Sequence, residues 1–517
     1  MPRTALPASG QDRLPIAESG TPGEYRKLCP DSTGPTSWLH PRVLLRSRNH
    51  LVAKLHDPVA RLREEWLRVQ GVPGGEARVD ALRISEHAGR ERTAFVVLGD
   101  TGEGDASQMA VVPGLLKVAR GTDFTVICSD VVYPAGEAGD YEAKLLCPYR
   151  DLPGPIYGVP GNHDWYDRLT GFMTHFCGAE QAPDGDIWAG AGVRGRLASI
   201  LWRSSDVPKP REAHAVVQRG PYWSLDAGPV VVVAVDTGID GAIDEPQADW
   251  LLQVSRERPD APKILLTGKP PIADAQYRPS PITGHRHRGR AMTVDDVVRD
   301  PRHGYVAVIG GDIHNYQRYP LTLEDGRQIA YIVAGGSGAF THGTHKIPRI
   351  DDERAGVAAQ VLSHAGARVE VSEVDSRLFP SRAWSLHWFA RRFAHTLPLD
   401  GPALSYVDAA ALIGDALGLE PVDPTARETL ARYRVDGMPL HMLAAQALFF
   451  RPLPAPGKLF QRFTSEFLDW NDAPLAKSFL RVDADEERIR LRCYRATGWL
   501  HDEVYPPVEE DVSIPVR

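Results

Sequence analysis

Four short apolar runs in this chain each stop at a turn bearing Asp, Asn or His, and this recurrence constrains the fold more than any other feature. Ala94 to Leu98 runs into Gly99-Asp100-Thr101-Gly102, and Phe124 to Cys128 into Ser129-Asp130-Val131-Val132-Tyr133. Ile156 to Val159 runs into Pro160-Gly161-Asn162-His163-Asp164, and Tyr305 to Ile309 into Gly310-Gly311-Asp312-Ile313-His314-Asn315-Tyr316. A short apolar run between turn signals reads as a buried strand. In open α/β sheets the ligand crevice lies beyond the carboxyl ends of the strands, so four such ends can meet at one point. Asp100 and Asp130 are thirty residues apart and Asn162 follows thirty-two later, which suits successive βαβ units of roughly thirty residues each.

Further strands read at Val230 to Val235, Lys263 to Thr267 and Ile329 to Val333, alternating with helical or looped segments. The alternation predicts an α/β fold with its sheet covered on both faces. Before it, residues 1 to about 35 are rich in Pro, Gly and Ser and read as disordered. Val43 to Gln70 reads as helix, with Leu44, Leu51, Leu55, Val59, Leu62 and Leu67 near the helical period. After Gly335-Gly336-Ser337-Gly338, Arg349 to Asp472 reads mainly as helices with proline-rich joints, Leu440, Leu443, Ala444, Ala447 and Leu448 sharing one face. Trp384, Leu386, Trp388, Phe389 and Phe393 cover too much of a helix for an ordinary surface; burial within this region is expected, a lid or a dimer face being the alternatives. Phe479 to Val482 and Ile489 to Tyr494, separated by the acidic turn Asp483 to Glu487, read as a hairpin returning to the α/β sheet. The expected division is residues 1–92 as an N-terminal extension, disordered then helical; 93–345 as the core; 346–475 as a mainly helical insertion; and 476–517 as the closing hairpin and tail.

Composition excludes some classes. With 517 residues and a formal net charge of -8, the chain has no basic stripe able to neutralise many phosphates, so nucleic acid is not an expected partner. No stretch reaches the ~20 apolar residues needed to span a bilayer, so no membrane partner is expected. The N-terminal segment lacks the apolar core of a signal peptide. Cys29, Cys128, Cys147, Cys177 and Cys493 are scattered without metal-type spacing. The plain reading is a reduced, cytoplasmic protein in which Cys128 is a small core residue.

The chemistry lies in the strand ends. A carboxylate that bridges two cations, flanked by one further ligand to each, holds a metal pair ~3.5 to 4 Å apart for in-line displacement at phosphorus. The plainer alternative, that each Asp or Asn merely caps a following helix, suits one such turn better than four in order. As a set, Gly99-Asp100-Thr101-Gly102, Ser129-Asp130-Val131-Val132-Tyr133, Gly161-Asn162-His163-Asp164 and Gly311-Asp312-Ile313-His314 resembles the calcineurin-like metallophosphoesterases, and most closely their purple acid phosphatase branch. Glycine two places after the first Asp, tyrosine three places after the second, and Asn315-Tyr316-Gln317-Arg318 after the last motif all resemble that branch. The resemblance covers roughly Thr93 to Gly338.

It implies a two-sheet α/β/β/α sandwich and hydrolysis of a small phosphorylated substrate by a metal-bound water or hydroxide. Asp100, Asp130, Tyr133 and His314 would hold the first metal, with Asp130 bridging, and a tyrosinate there goes with iron(III). Asn162 would hold a second ion, Mn, Zn or Mg. His163 would give a proton to the leaving oxygen or contact the phosphoryl oxygens, with Asp164 orienting its ring.

Two positions depart from the family pattern: Lys269 and Asp312 stand where histidine ligands of the second metal are expected. Three readings follow. Lys269 and Asp312 form an ion pair in place of the second metal, and Lys269 assists catalysis as a fixed cation; or a second oxygen-preferring ion rests on Asp130, Asn162 and Asp312; or the site binds without turnover, as in a regulatory protein with one metal. Gly284-His285-Arg286-His287 matches the Gly-His-x-His motif literally, but a proline-broken segment precedes it. It reads as a solvated basic loop, with an anion clamp or a swung-in His285 or His287 ligand as alternatives. His342 and His345 read as loop residues, with substrate contact as the alternative.

Overall fold

In the computed structural model, which describes residues 41–184, 187–188, 190–202, 217–273, 276–323, 325–339, 477–496, 506 and 508–516 and two-residue strands at 370–371, 434–435 and 438–439, strand alternation sorts the apolar residues into three layers. The principal strands are β1 (Arg83–Ile84), β2 (Thr93–Gly99), β3 (Phe124–Cys128), β4 (Ile156–Val159), β5 (Trp223–Asp226), β6 (Val231–Val235) and β7 (Lys263–Thr267). They continue with β8 (Tyr305–Gly310), β9 (Tyr316–Thr322), β10 (Gln328–Ala334), β11 (Glu370–Val371), β12 (Lys477–Ala484), β13 (Arg488–Ala496) and β14 (Val508–Pro515). One sheet has the order β14-β13-β12-β2-β3-β4, the other β1-β5-β6-β7-β8-β10-β9-β11.

Because successive side chains point to opposite faces, Phe95, Val97, Phe124, Val126 and Cys128 meet Val232, Ala234, Ile264, Leu266, Ala307 and Ile309 between the sheets. Their neighbours Val96, Leu98 and Ile127 face outward against the helices Val112–Val118 and Thr170–Cys177. On the far side, Val233, Val235, Leu265 and Val308 pack against Glu245–Arg256 and Val294–Arg299. The result is the α/β/β/α sandwich that the family resemblance implies. β2, β3 and β4 run parallel, as do β6, β7, β8 and β10, so the motif turns that follow them emerge at carboxyl ends.

The N-terminal segment departs from the expectation of one helix. It forms three, Pro41–Arg46, Asn49–Ala53 and Val59–Val69, the last beginning after Pro58, where the Asp57 side chain accepts from the Val59 N–H at 2.9 Å. Val59, Leu62, Trp66 and Leu67 are buried, whereas Leu44, Leu51 and Leu55 are exposed; the proline break turns the earlier leucines off the core-facing side. Arg63 fixes the third helix: its Nε donates to Asp236 Oδ2 at 2.7 Å, and it also pairs with Asp244. Trp165 Nε1 donates to the other Asp236 oxygen at 2.9 Å.

β12 pairs antiparallel with β2, β13 with β12, and β14 adds a third strand outside them. What reads as a hairpin is thus the inner part of a three-stranded addition to the motif sheet. The disorder read at residues 1 to 35, the aromatic group Trp384 to Phe393, and His342 and His345 lie outside the described residues, as does the region read as helices between Arg349 and Asp472 apart from its three two-residue strands.

Candidate metal centre

The strand ends turn sharply, and the backbone shows the cost. Asp100, Ser129, Asp130 and Asp312 have φ of 55°, 74°, 32° and 64°, a left-handed region that L-residues seldom occupy unless the surroundings impose it. Glycines make the room. A Cβ on Gly161 would lie 2.1 Å from Asp130 Oδ1, and one on Gly311 would lie 2.6 Å from Asp100 Oδ2.

Three strand ends bring four side chains together. The Tyr133 hydroxyl lies 3.2 Å from Asp100 Oδ1, 3.1 Å from Asp130 Oδ2 and 3.0 Å from His314 Nε2. Donor atoms of Asp100, Asp130 and His314 all fall within 4.8 Å of one another. All four residues are buried. A phenol has one proton and cannot serve two carboxylates at once, and Asp100 Oδ2 is buried with no hydrogen-bond partner. Burial and the nearby Asp130 and Asp312 charges hold the Asp100 carboxyl well above the usual range. Burial, with Asp312 adding to it, raises Asp130 to about 7. The Tyr133 phenol is pushed far up by burial and by both carboxylates. An oxygen-rich cluster with too few protons fits a hard cation.

Asn162 stands beside this cluster, its Nδ2 donating to the Tyr166 hydroxyl at 2.8 Å, which in turn meets His50 Nδ1 at 2.9 Å. The His163 backbone N–H donates to Asp130 Oδ1 at 2.8 Å, and its ring Nδ1 donates to the Pro134 carbonyl at 2.8 Å; the carbonyl can only accept, so the tautomer is fixed. Here the expectation for Asp164 fails. Its carboxylate instead accepts from the Val131 and Gly161 N–H groups, each at 3.0 Å, tying two motif loops together, and Pro134 orients the imidazole. Asp164 is raised to about 8 by burial and then by Asp130.

The expected Lys269–Asp312 ion pair is also not formed. Lys269 runs past Gly241, where a Cβ would lie 2.9 Å from its Cδ, and its Nζ donates to the Ile239 carbonyl at 2.9 Å. Asp312 instead sends its backbone N–H to Asp100 Oδ1 at 3.1 Å, and its carboxylate adds negative charge to Asp100 and Asp130. Gly284-His285-Arg286-His287 is part of a β-hairpin, Pro281–His287 with Arg290–Thr293, rather than a loop. His285 Nε2 lies 3.1 Å from Asp249 there, outside the cluster.

Two contributors escaped the sequence reading. Tyr166 positions Asn162, and their i, i+4 spacing, which puts two side chains on one helical face, was the signal available. Lys144, whose Nζ donates to the Tyr133 carbonyl at 2.6 Å, lies eleven residues away with no pattern to mark it.

Residues 93–316 match the model of the calcineurin-like phosphoesterase family. No curated protein sequence matches the chain. Among solved structures, a purple acid phosphatase from yellow lupin (Lupinus luteus) seeds is similar at 11% identity and a TM-score of 0.38, with 83% of this chain and 55% of that one covered. PhoD is similar at 9% identity and 0.31, with 83% and 69% covered. GAP50, the anchor in the inner membrane complex of Plasmodium, is similar at 12% identity and 0.31, with 49% and 75% covered. The chain thus spans little more than half the length of the lupin phosphatase. Residues 93–316, which fold as a two-sheet sandwich whose motif turns converge, thus match the calcineurin-like phosphoesterase family model.

Proposed function

We propose that the chain hydrolyses a small phosphate ester at a metal centre held by Asp100, Asp130, Tyr133 and His314. One observation carries this reading: two buried carboxylates, a phenol and an imidazole converge around too few protons, with Asp100 Oδ2 unpartnered. A cation bound there supplies Lewis acidity at phosphorus and makes a water acidic enough to act as nucleophile near neutral pH. Iron(III) is proposed for this position, because the Tyr133 phenol, raised by burial and its acidic neighbours, ionises only against a strong hard charge. A second divalent ion, Mn, Zn or Mg, is proposed on Asp130, Asn162 and Asp312, since Asp312 has no ion pair with Lys269 to neutralise it. With Nδ1–H committed to Pro134, His163 presents Nε2, which in the imidazolium form gives a proton to the leaving oxygen or contacts the phosphoryl oxygens. Lys269 fixes the Ile239 loop and lends positive charge near Asp130. A reducing, cytoplasmic setting is proposed from the scattered spacing of the five cysteines.

Lys269 and Asp312, in place of two histidines, favour a second reading: a protein that keeps one metal and binds without hydrolysing. Turnover of an aryl phosphate decides. Metal-replete protein should release phenolate, whereas chelator-treated protein and Asp100→Asn should not. A folded, metal-replete protein that turns over neither aryl monoesters nor diesters would leave only the binding reading.

A further inference from the structure

We infer that the outer face formed by the helices Pro41–Arg46, Asn49–Ala53 and Gly192–Leu201 docks on an anionic lipid surface. In Gly192–Leu201 the apolar residues Val193, Leu197, Ile200 and Leu201 follow the i, i+4, i+7, i+8 spacing of a stripe that ordinarily faces a core. Here the helix buries Gly195 and Ala198 instead, and the stripe points outward, with Val193 85% and Ile200 79% exposed. Asn49–Ala53 packs beside it, and Arg48 Nε donates to the Leu201 carbonyl at 3.0 Å. That side adds Leu44, Leu45, Leu51 and Leu55, all exposed; among the described residues, Val508 is the only other large apolar side chain so exposed.

Charge selects the occupant. From Pro41 to His56 the sequence has Arg42, Arg46, Arg48 and Lys54 and no Asp or Glu; from Gly190 to Trp202 it has Arg194 and Arg196 and again no carboxylate, in a chain of net charge -8. Arg46 is satisfied by Glu137 and Asp140, but Lys54, Arg194 and Arg196 are exposed and form no ion pair among the described residues. Apolar side chains bordered by the exposed cations Lys54, Arg194 and Arg196 match the boundary of an anionic bilayer, where the aliphatic groups enter the acyl region and the cations meet phosphates. No helix among the described residues is long and apolar enough to cross a membrane. The position of this face also links it to the candidate centre: Asn49 Nδ2 donates to the Tyr166 carbonyl at 2.7 Å, and His50 meets the Tyr166 hydroxyl that holds Asn162.

Vesicle co-sedimentation of the full-length chain tests this without reference to catalysis. The probes are phosphatidylcholine vesicles with and without phosphatidylglycerol, and the variants are Val193→Asp with Ile200→Asp, and Arg194→Gln with Arg196→Gln. All are exposed positions, and an unchanged thermal melt confirms the fold. Binding should require phosphatidylglycerol, weaken with added salt, and fall by about tenfold or more in the double aspartate variant. No binding to anionic vesicles overturns the inference, as does binding that the variants leave unchanged. So does a dimer that the aspartate pair converts to monomer in the absence of vesicle binding, which would assign the face to a second copy. Equal binding to neutral vesicles overturns the electrostatic part.

Discussion

Replacing Asp130 by asparagine should make the metal-free protein more stable above neutral pH, although it removes a proposed central ligand. In the fold the Asp130 carboxyl is raised from 3.8 to about 7, first by burial and then by the Asp312 charge. The folded value lies above the unfolded one, so stability is fully present below pH 3.8 and is lost as pH rises through about 7. At about 1.4 kcal/mol per pH unit, holding this group ionised costs ~4 kcal/mol at pH 8. Asparagine keeps an acceptor for the His163 N–H, now at 2.8 Å, and disturbs the Tyr133 contact, an offset of ~1 kcal/mol. The expected net gain is therefore ~3 kcal/mol at pH 8, fading to nearly nothing at pH 4. Urea unfolding of chelator-treated wild-type and Asp130→Asn protein at both pH values measures it. With metal added the order should reverse, because only the wild type gains the binding energy. An Asp130→Asn protein no more stable than wild type at pH 8 without metal, or an advantage that persists unchanged to pH 4, would refute the reasoning.

Iron-loaded wild-type protein should show a visible tyrosinate-to-iron charge-transfer band that Tyr133→Phe removes while iron content holds; a colourless iron-loaded wild type would count against Tyr133 as a ligand. Elemental analysis should find two ions per chain, and Asp312→Asn should lose one of them, whereas an unchanged metal content would remove Asp312 from the ligand set. Arg63→Met leaves Asp236 and Asp244 buried without their cation and should cost ~3–5 kcal/mol in urea unfolding; a cost under ~1 kcal/mol would show the two carboxylates finding another partner.

The convergence of Asp100, Asp130, Tyr133 and His314 was legible because each rests on a local signal, an apolar run and the turn that ends it, and parallel strands carry such turns to one edge. Side-chain direction was not. Lys269 and Asp312 were correctly placed on neighbouring strand ends, β7 and β8, but spacing cannot show that the lysine amine reaches the Ile239 carbonyl instead. Asp164 follows His163 directly, yet adjacency in sequence puts side chains on different sides of a helical turn, and its carboxylate went to the backbone of the neighbouring loop. The leucine pattern of residues 43 to 70 was continuous only as a count; Pro58 divides it, and the part before the break faces outward. The return of β12 to the sheet could be expected from its apolar pattern, though not its pairing with β2, whereas the added β14 (Val508–Pro515) carries Glu509, Glu510 and Asp511 and hides its strand character behind charge.

β2, the strand that delivers Asp100, lies between β3 and β12, and Thr93 at its start pairs with Ala484. During synthesis the whole of β2 to β10 leaves the ribosome before that partner exists. Until then one side of β2 is a row of unpaired N–H and C=O groups next to an apolar face, an edge open to any other extended segment. Gly99 N–H and the Ser478 carbonyl are joined through the Ser337 hydroxyl, so even the loop beside Asp100 waits for β12. A message truncated before Lys477 would therefore yield a chain that carries the proposed metal ligands yet meets other chains through its bare strand before it can hold an ion.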